Sequence, residues 1–269
     1  MTKIKFRSLS SGSCGNCYYL ALEEDDGSRI PVLIDAGVSP RRLKKEMGQE
    51  AFGDNAVRGI LVTHDHMDHI RSLGSYCKHL RWPVWTTPCL HRALSRHTMT
   101  SEYIAPYRKE LSEGWNDIVP GRIRARCFEV PHDATQTVGY AIMLDDFKFV
   151  IMTDIGRMTE EAMNFAVQAD TVVIESNYDI RMLAEGPYPK ELQDRIRGGN
   201  GHLSNVECAA AIRGFLHEGL RYVFLCHLSE HNNTPELALK ESAPVLEGSG
   251  TRLIALPREN ASPLFSLYL

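Results

Sequence analysis

The sequence predicts an α/β protein in which β-sheets are sandwiched between helices. Three observations lead there. Short apolar runs bounded by turn residues recur in both halves of the chain, as strands do. Between them lie segments with apolar residues at helical spacing, several opened by Ser or Thr caps. Finally, 269 residues with 43% hydrophobic content can bury one sizeable core without disulfides to hold it. No internal repeat, low-complexity run or Gly/Ser linker divides the chain, so residues 1–269 are expected to form a single domain.

The elements follow in order. Lys3–Leu9, Cys17–Leu22 and Ile30–Asp35 read as strands, the last two joined through the acidic turn Glu23–Gly27. Pro40–Met47 reads as a short basic helix, Gly59–Thr63 as a buried strand, and Asp68–Cys77 as the helix after it. Pro83–Thr86 is a strand and Pro88–His97 a helix. Arg122–Val130, Val138–Leu144 and Lys148–Thr153 are strands, with a tight hairpin at Asp145–Asp146. Thr159 caps a helix reaching Gln168, with two Glu in its first turn. After the strand Thr171–Glu175, Ser204 and Glu207 form a capping box for a helix to His217. Its Cys208, Ile212, Phe215 and Leu216 share one face. Tyr222–Cys226, a helix capped at Thr234–Pro235, Arg252–Leu256 and Leu264–Leu267 complete the order.

Composition narrows function. No run of 18 apolar residues exists, so no membrane span is expected. The opening residues carry no apolar stretch of signal-peptide type, and seven cysteines, an odd number, read as reduced thiols. Together these predict a cytoplasmic setting. A net charge of −4 means that any polyanion partner must be held by a local patch.

The chemistry is concentrated in Thr63-His64-Asp65-His66-Met67-Asp68-His69, an HxHxDH motif directly after a buried strand. Neutral imidazole and carboxylate both bind Zn²⁺ or Mn²⁺ well. His64 and His66 are two residues apart and point the same way on extended backbone, whereas Asp68 and His69 follow the turn and can face a second point. The set therefore suggests two metals. His132, Asp154 and His227 each directly follow a short apolar strand, as His64 does, and supply further ligands.

The chain resembles the metallo-β-lactamase superfamily, and within it the YycJ/WalJ-like metal-dependent nucleases. The resemblance runs essentially from end to end. It is carried by SLSSGSCGNCYYL, LIDAG at Leu33–Gly37, THDHMDH, PHDATQTVGYAI, TDIGRMT, IESNYD at Ile174–Asp179, GPYPKEL, GHLSN at Gly201–Asn205 and CHLSEHNN. It implies an αββα sandwich of two mixed β-sheets flanked by helices, with the site at one edge. It also implies that His64, His66 and His132 hold one divalent ion, that Asp68, His69 and His227 hold the other, and that Asp154 bridges them. Asp35 and Glu175 would stand behind the ligands as supporting carboxylates. Zn²⁺ or Mn²⁺ is expected, with Fe²⁺ compatible with the same donors.

The implied reaction is in-line attack on a phosphodiester by hydroxide shared between the metals, with Asp68 orienting or deprotonating the nucleophile. His202 precedes a helix N-terminus, a natural anion site, and by resemblance binds phosphate or protonates the leaving group. Ser204, Asn205 and His231 are the further candidates for substrate binding. The basic clusters Arg41, Arg42, Lys44, Lys45 and Lys190, Arg195, Arg197 could be solvated helix faces or could track a nucleic-acid backbone. Nucleic acid is the expected partner. DNA, degraded 5′→3′, is preferred by resemblance alone, since no residue chooses DNA over RNA.

Other readings are weaker. A β-lactamase commonly has Cys where this chain has His69, and flavodiiron proteins have an acidic residue in place of His66. A glyoxalase II-type thioesterase or a small-molecule phosphodiesterase shares the ligand set, but GHLSN and IESN argue for a nuclease. An RNA-processing nuclease loses ground because only about 20 residues separate those motifs, too few for a large inserted cap. A non-catalytic module would be expected to have lost a ligand. Cys14 and Cys17 form a CxxC without a second pair, which favours two reduced thiols in a turn. His79, His91, His97 and His217 fall in helical segments and read as surface or satisfied histidines, and Trp82, Trp85 and Trp115 as packing residues.

Overall fold

In the computed structural model, which describes residues 3–268, the first six strands and the last one form one sheet and the seven strands between them form another. The strands are β1 (Lys3–Gly12), β2 (Gly15–Glu23), β3 (Arg29–Ile34), β4 (Ile60–Leu61), β5 (Val84–Thr86), β6 (Arg108–Glu110), β7 (Asn116–Val119), β8 (Ile123–Glu129), β9 (Val138–Leu144), β10 (Phe147–Met152), β11 (Thr171–Glu175), β12 (Tyr222–Cys226), β13 (Arg252–Ala255) and β14 (Phe265–Leu267). The helices are α1 (Pro40–Met47), α2 (Met67–Ile70), α3 (Leu73–Leu80), α4 (Pro88–Leu94), α5 (Glu160–Ala166), α6 (Ile180–Glu185), α7 (Lys190–Arg197), α8 (Asn205–Phe215) and α9 (Pro235–Ser242).

One seven-stranded sheet runs β14-β1-β2-β3-β4-β5-β6 and the other β13-β12-β11-β10-β9-β8-β7. Each is mixed. In the first, β14 through β3 pair antiparallel and β3 through β6 parallel. In the second, β13 through β10 are parallel and β10 through β7 antiparallel. The buried runs TVVIE and YVFLC are what parallel strands covered on both faces require.

Three apolar layers hold the sandwich. Between the sheets, Phe6, Tyr18, Tyr140, Phe149 and Phe224 interdigitate. Outside the first sheet, Leu43, Leu73, Tyr76 and Leu94 of α1, α3 and α4 cover it. Outside the second, Ala162, Cys208, Ile212, Phe215 and Ala238 of α5, α8 and α9 do the same. Phe6 is central, its ring 5.2 Å from Phe149 and 4.8 Å from Phe224. Phe6→Ala is expected to cost about 3–5 kcal/mol, read as a lowered urea midpoint with unchanged slope.

Several expectations change in detail. The strand expected at Gly59–Thr63 is regular only over Ile60–Leu61, because Thr63 turns its backbone N–H to the carboxylate of Asp35. The helix expected at Asp68–Cys77 is two short helices, broken where the Ser72 N–H donates to Ala36 O. The edge strand β6 carries only exposed side chains and so has no apolar pattern to read. The capping box at Ser204 and Glu207 forms as the sequence predicts.

The topology gathers the carboxyl ends of β3, β4, β10, β11 and β12 at one edge. Just past three of these strands, Asp35, Asp154 and His227 adopt left-handed backbone, with φ of 60°, 54° and 53°. Non-glycine residues enter this region at a cost of order 1–3 kcal/mol, and such residues cluster at functional sites. Here the conformation turns each side chain sharply out of its strand and toward the others. Among the described residues, no helix is long and apolar enough to cross a membrane.

Candidate metal centre

Donor atoms of His64, His66 and His132 lie within 4.8 Å of one another, as do those of Asp68, His69 and His227. These are the two triads that the resemblance implies, and the structure sets them side by side. Asp154 reaches both. Its Oδ2 is 3.1 Å from His69 Nε2, and its Oδ1 is 3.7 Å from His132 Nε2 and 3.5 Å from His227 Nε2. Asp65, inside the same motif, points elsewhere: it accepts hydrogen bonds from Thr135 and ties down the loop carrying His132.

Each imidazole but that of His66 is gripped at one nitrogen from behind. His69 Nδ1 is 2.7 Å from Asp35 Oδ2, and the Thr63 hydroxyl donates to the same oxygen at 2.8 Å. His227 Nδ1 donates to Glu175 Oε1 at 2.9 Å, His132 Nδ1 to the carbonyl of Gly201 at 2.9 Å, and His64 Nδ1 lies 3.0 Å from Thr63 Oγ1. A proton fixed on the rear nitrogen leaves the front nitrogen with its lone pair facing the cluster, the tautomer a metal ligand needs. Asp35 and Glu175 therefore stand where supporting carboxylates were expected. Both are fully buried.

The donor set fits divalent metal binding. His64 Nε2 and His227 Nε2 are buried and lack any hydrogen-bond partner, an arrangement costly for a polar atom without a ligand. Asp35, Asp68, Asp154 and Glu175 all converge on the same neighbourhood, and buried carboxylates need compensating positive charge. The titration pattern reflects that demand. Burial opposes ionisation of Asp154, yet the imidazoles of His227 and His69 hold its carboxyl well below the usual range. Burial also opposes charge on His69, but Asp154 and Asp35 raise it well above the ordinary histidine value. His64 goes the other way, kept neutral by burial and then by neighbouring His69.

Beside the cluster lies a cavity of about 370 Å³. His202 and His231 line it. The Nδ1 of His202 donates to Glu175 Oε1 at 2.7 Å, which turns the other face of the ring to the cavity. Burial works against protonation of His202, but the Glu175 carboxylate more than offsets it and raises its pKa. The other two substrate-binding candidates are not brought there. Ser204 and Asn205 are 1% and 2% exposed and do not line the cavity. The Ser204 hydroxyl is spent on the capping box, and Asn205 is locked among Ser176 and Asn233. As the N-cap, Ser204 turns its side chain onto its own helix, while Asn205 ties the start of that helix to Ser176 and Asn233.

Asn16 is a residue of this centre that sequence reasoning missed. Fully buried at the start of β2, it donates from Nδ2 to Asp68 Oδ2 at 3.0 Å. Its Oδ1 accepts from Tyr18 OH at 3.4 Å, Tyr18 OH is 2.8 Å from Ser11 Oγ, and Ser11 Oγ accepts from the His227 N–H. The first hairpin is thus wired to both ends of the second triad. A buried amide inside SGSCGNC, among otherwise small residues, is the signal that could have indicated it.

The remaining features resolve simply. Every cysteine among the described residues is a free thiol, with Cys14 exposed at the hairpin turn and Cys17 buried, where burial raises its pKa. His91 is a core histidine satisfied at one nitrogen only: its Nε2 is hydrogen-bonded to Lys109 O, and its buried Nδ1 has no partner. Trp82 packs on Tyr76, but Trp115 departs from the packing expectation: it is 40% exposed beneath the Arg124 guanidinium. In the first basic cluster, Arg42 binds the carbonyls of Leu9 and Glu259 and so staples α1 to β1 and to the segment before β14.

Comparison with known proteins gives the same picture. The model of the β-lactamase superfamily domain matches residues 31–227. Exodeoxyribonuclease YycJ of Bacillus anthracis is 32% identical over 248 residues, covering 92% of this chain and 90% of that protein. Exodeoxyribonuclease WalJ of Streptococcus pneumoniae serotype 2 (strain D39 / NCTC 7466) is 31% identical over 237 residues, covering 87% of this chain and 85% of its own length. The metallo-β-lactamase-fold protein YhfI from Bacillus subtilis superposes with a TM-score of 0.66 at 14% identity, over 96% of this chain and 99% of that one, and so shares the fold. With a superfamily model spanning most of the chain and a full-length relative at this identity, the chain belongs to the metallo-β-lactamase superfamily and, within it, to the YycJ/WalJ family.

Proposed function

We propose that the chain is a metal-dependent phosphodiesterase that shortens DNA from the 5′ end. The observation that carries this reading is the pair of triads joined through Asp154 at the mouth of a cavity. His64, His66 and His132 would hold one divalent ion and Asp68, His69 and His227 the other, with Asp154 shared. Zn²⁺ or Mn²⁺ suits these donors and Fe²⁺ is compatible. When bound, two such ions acidify water and take up charge developing on a phosphoester's oxygens. The choice of DNA is supported by the two relatives, both named exodeoxyribonuclease. The free thiols support a reducing, cytoplasmic setting.

The chain's own residues have distinct tasks in this reading. Asp68 borders the cavity with Oδ2 held by Asn16, which leaves its other oxygen to orient or receive a proton from the attacking water. His202, steadied by Glu175, presents its free nitrogen to the phosphate or to the departing oxygen. The whole chain acts as one catalytic unit, since Asn16, Asp154 and His227 come from distant parts of it.

The test incubates the purified protein and Mn²⁺ or Zn²⁺ with end-labelled double-stranded DNA, single-stranded DNA and RNA, with Asp68→Ala in parallel. Progressive loss from the 5′ end of DNA is expected, reduced by about 10²-fold or more in the variant. Preferential cutting of RNA, or hydrolysis of only small phosphodiesters or thioesters, would reject the assignment of DNA while leaving the metal centre in place.

A further inference from the structure

The cavity has a second wall unlike the metal-facing one. On α7, Leu192, Arg195 and Ile196 sit at i, i+3 and i+4 and line the cavity together. Lys190 and Arg197 belong to the same basic cluster but engage Asp194 at 3.1 and 2.8 Å instead. Just before the helix, Tyr188 faces His231 edge-on, ring centroids 6.0 Å apart. Leu228, next to His227, extends the apolar surface. Arg195 reaches across the rim to Asp133, which adjoins His132. The arrangement is an ionic floor, an aromatic and aliphatic side wall, and one guanidinium at the lip.

Hydrolysis of a phosphodiester needs no apolar wall. A nucleobase does use one, having flat apolar faces, a polar edge and a fixed tether to the phosphate. The volume of about 370 Å³ sits near the lower end of small-molecule sites, which run from about 300 to 1,000 Å³. That is room for one nucleotide-sized group. We propose that the cavity is a subsite for the single terminal nucleotide, its base packed against Tyr188, Leu192, Ile196 and His231 and the adjoining phosphate met by Arg195. The subsite rests on the nuclease reading above and adds to it a reason for cutting at ends, one nucleotide at a time.

The experiment compares two end-labelled duplexes in Mn²⁺, one with ordinary terminal nucleotides and one with a base-free tetrahydrofuran unit at each end of the labelled strand. The wild-type protein is expected to release the ordinary terminal nucleotide about tenfold faster in kcat/KM, the scale of one stacked base. In Tyr188→Ala the ratio should fall to within about twofold, whereas Tyr188→Phe, which keeps the ring, should preserve it. If Tyr188→Ala does not fold, Leu192→Ala, on the same wall, should also lower the ratio. A wild-type ratio near one, or an unchanged ratio in the alanine variants, overturns the subsite alone. Failure to shorten either duplex overturns the nuclease reading with it.

Discussion

Asp154→Asn is expected to lower hydrolysis by at least about 10²–10³-fold and to reduce bound metal to one equivalent or fewer per chain. Asn has nearly the shape of Asp, so the change isolates the charge. Losing a carboxylate that only supports a ligand typically costs about 10–100-fold in metal affinity or activity. Asp154 stands closer in, touching His69 from one oxygen and both His132 and His227 from the other. Its loss must therefore exceed that range. Asp35→Asn provides the comparison, because Asp35 touches only His69 and Thr63 and should stay within it. Atomic emission on dialysed protein and initial rates on the same samples read both quantities. Retention of two ions at wild-type affinity in Asp154→Asn would overturn the proposal that Asp154 is shared between them.

The contrast between these two aspartates also shows what a sequence conveys about such a site. HxHxDH is legible because its members are neighbours in the chain, and a period of two already puts His64 and His66 on one side. Asp154 and His227 were legible more weakly, through the apolar strand that precedes each. The turn that aims them was not: left-handed backbone at an Asp or His leaves no pattern in the residues around it. GHLSN misled in the opposite direction. Read as one motif, it suggested that His202, Ser204 and Asn205 act together. Folded, the first of them faces the cavity while the helix start buries the other two. The strands themselves were likewise legible where buried and illegible at β6, where backbone pairing alone makes the edge, and their order in the sheets was not legible at all.

Asn16 left only the faint signal of an amide among small residues, and the close approach of backbone beside it supports the most severe stability prediction. Gly37 follows β3 and Asp35, and its N–H donates to Asn16 O at 2.8 Å while Ala36 N–H donates to His69 O at 2.7 Å. The segment is thus clamped between the start of β2 and helix α2. A Cβ at residue 37 would lie 1.8 Å from Asp68 O, 2.5 Å from Asn16 N and 2.8 Å from Asn16 O. All three atoms are backbone, so no rotamer change relieves the clash. Gly37→Ala should therefore destabilise the protein by more than about 4 kcal/mol, beyond the usual range for single substitutions, or fold only with Asp68 displaced. Gly27→Ala is the matching control. Gly27 has φ of 84°, yet a Cβ there meets nothing within 4 Å, so it should cost only the left-handed strain of about 1–2 kcal/mol. Urea unfolding of both variants separates the two causes, conformational preference and lack of space. If Gly37→Ala unfolded within about 1 kcal/mol of wild type, the tight seat of Asp68 against β2 would be wrong, and the hairpin could not be what positions it.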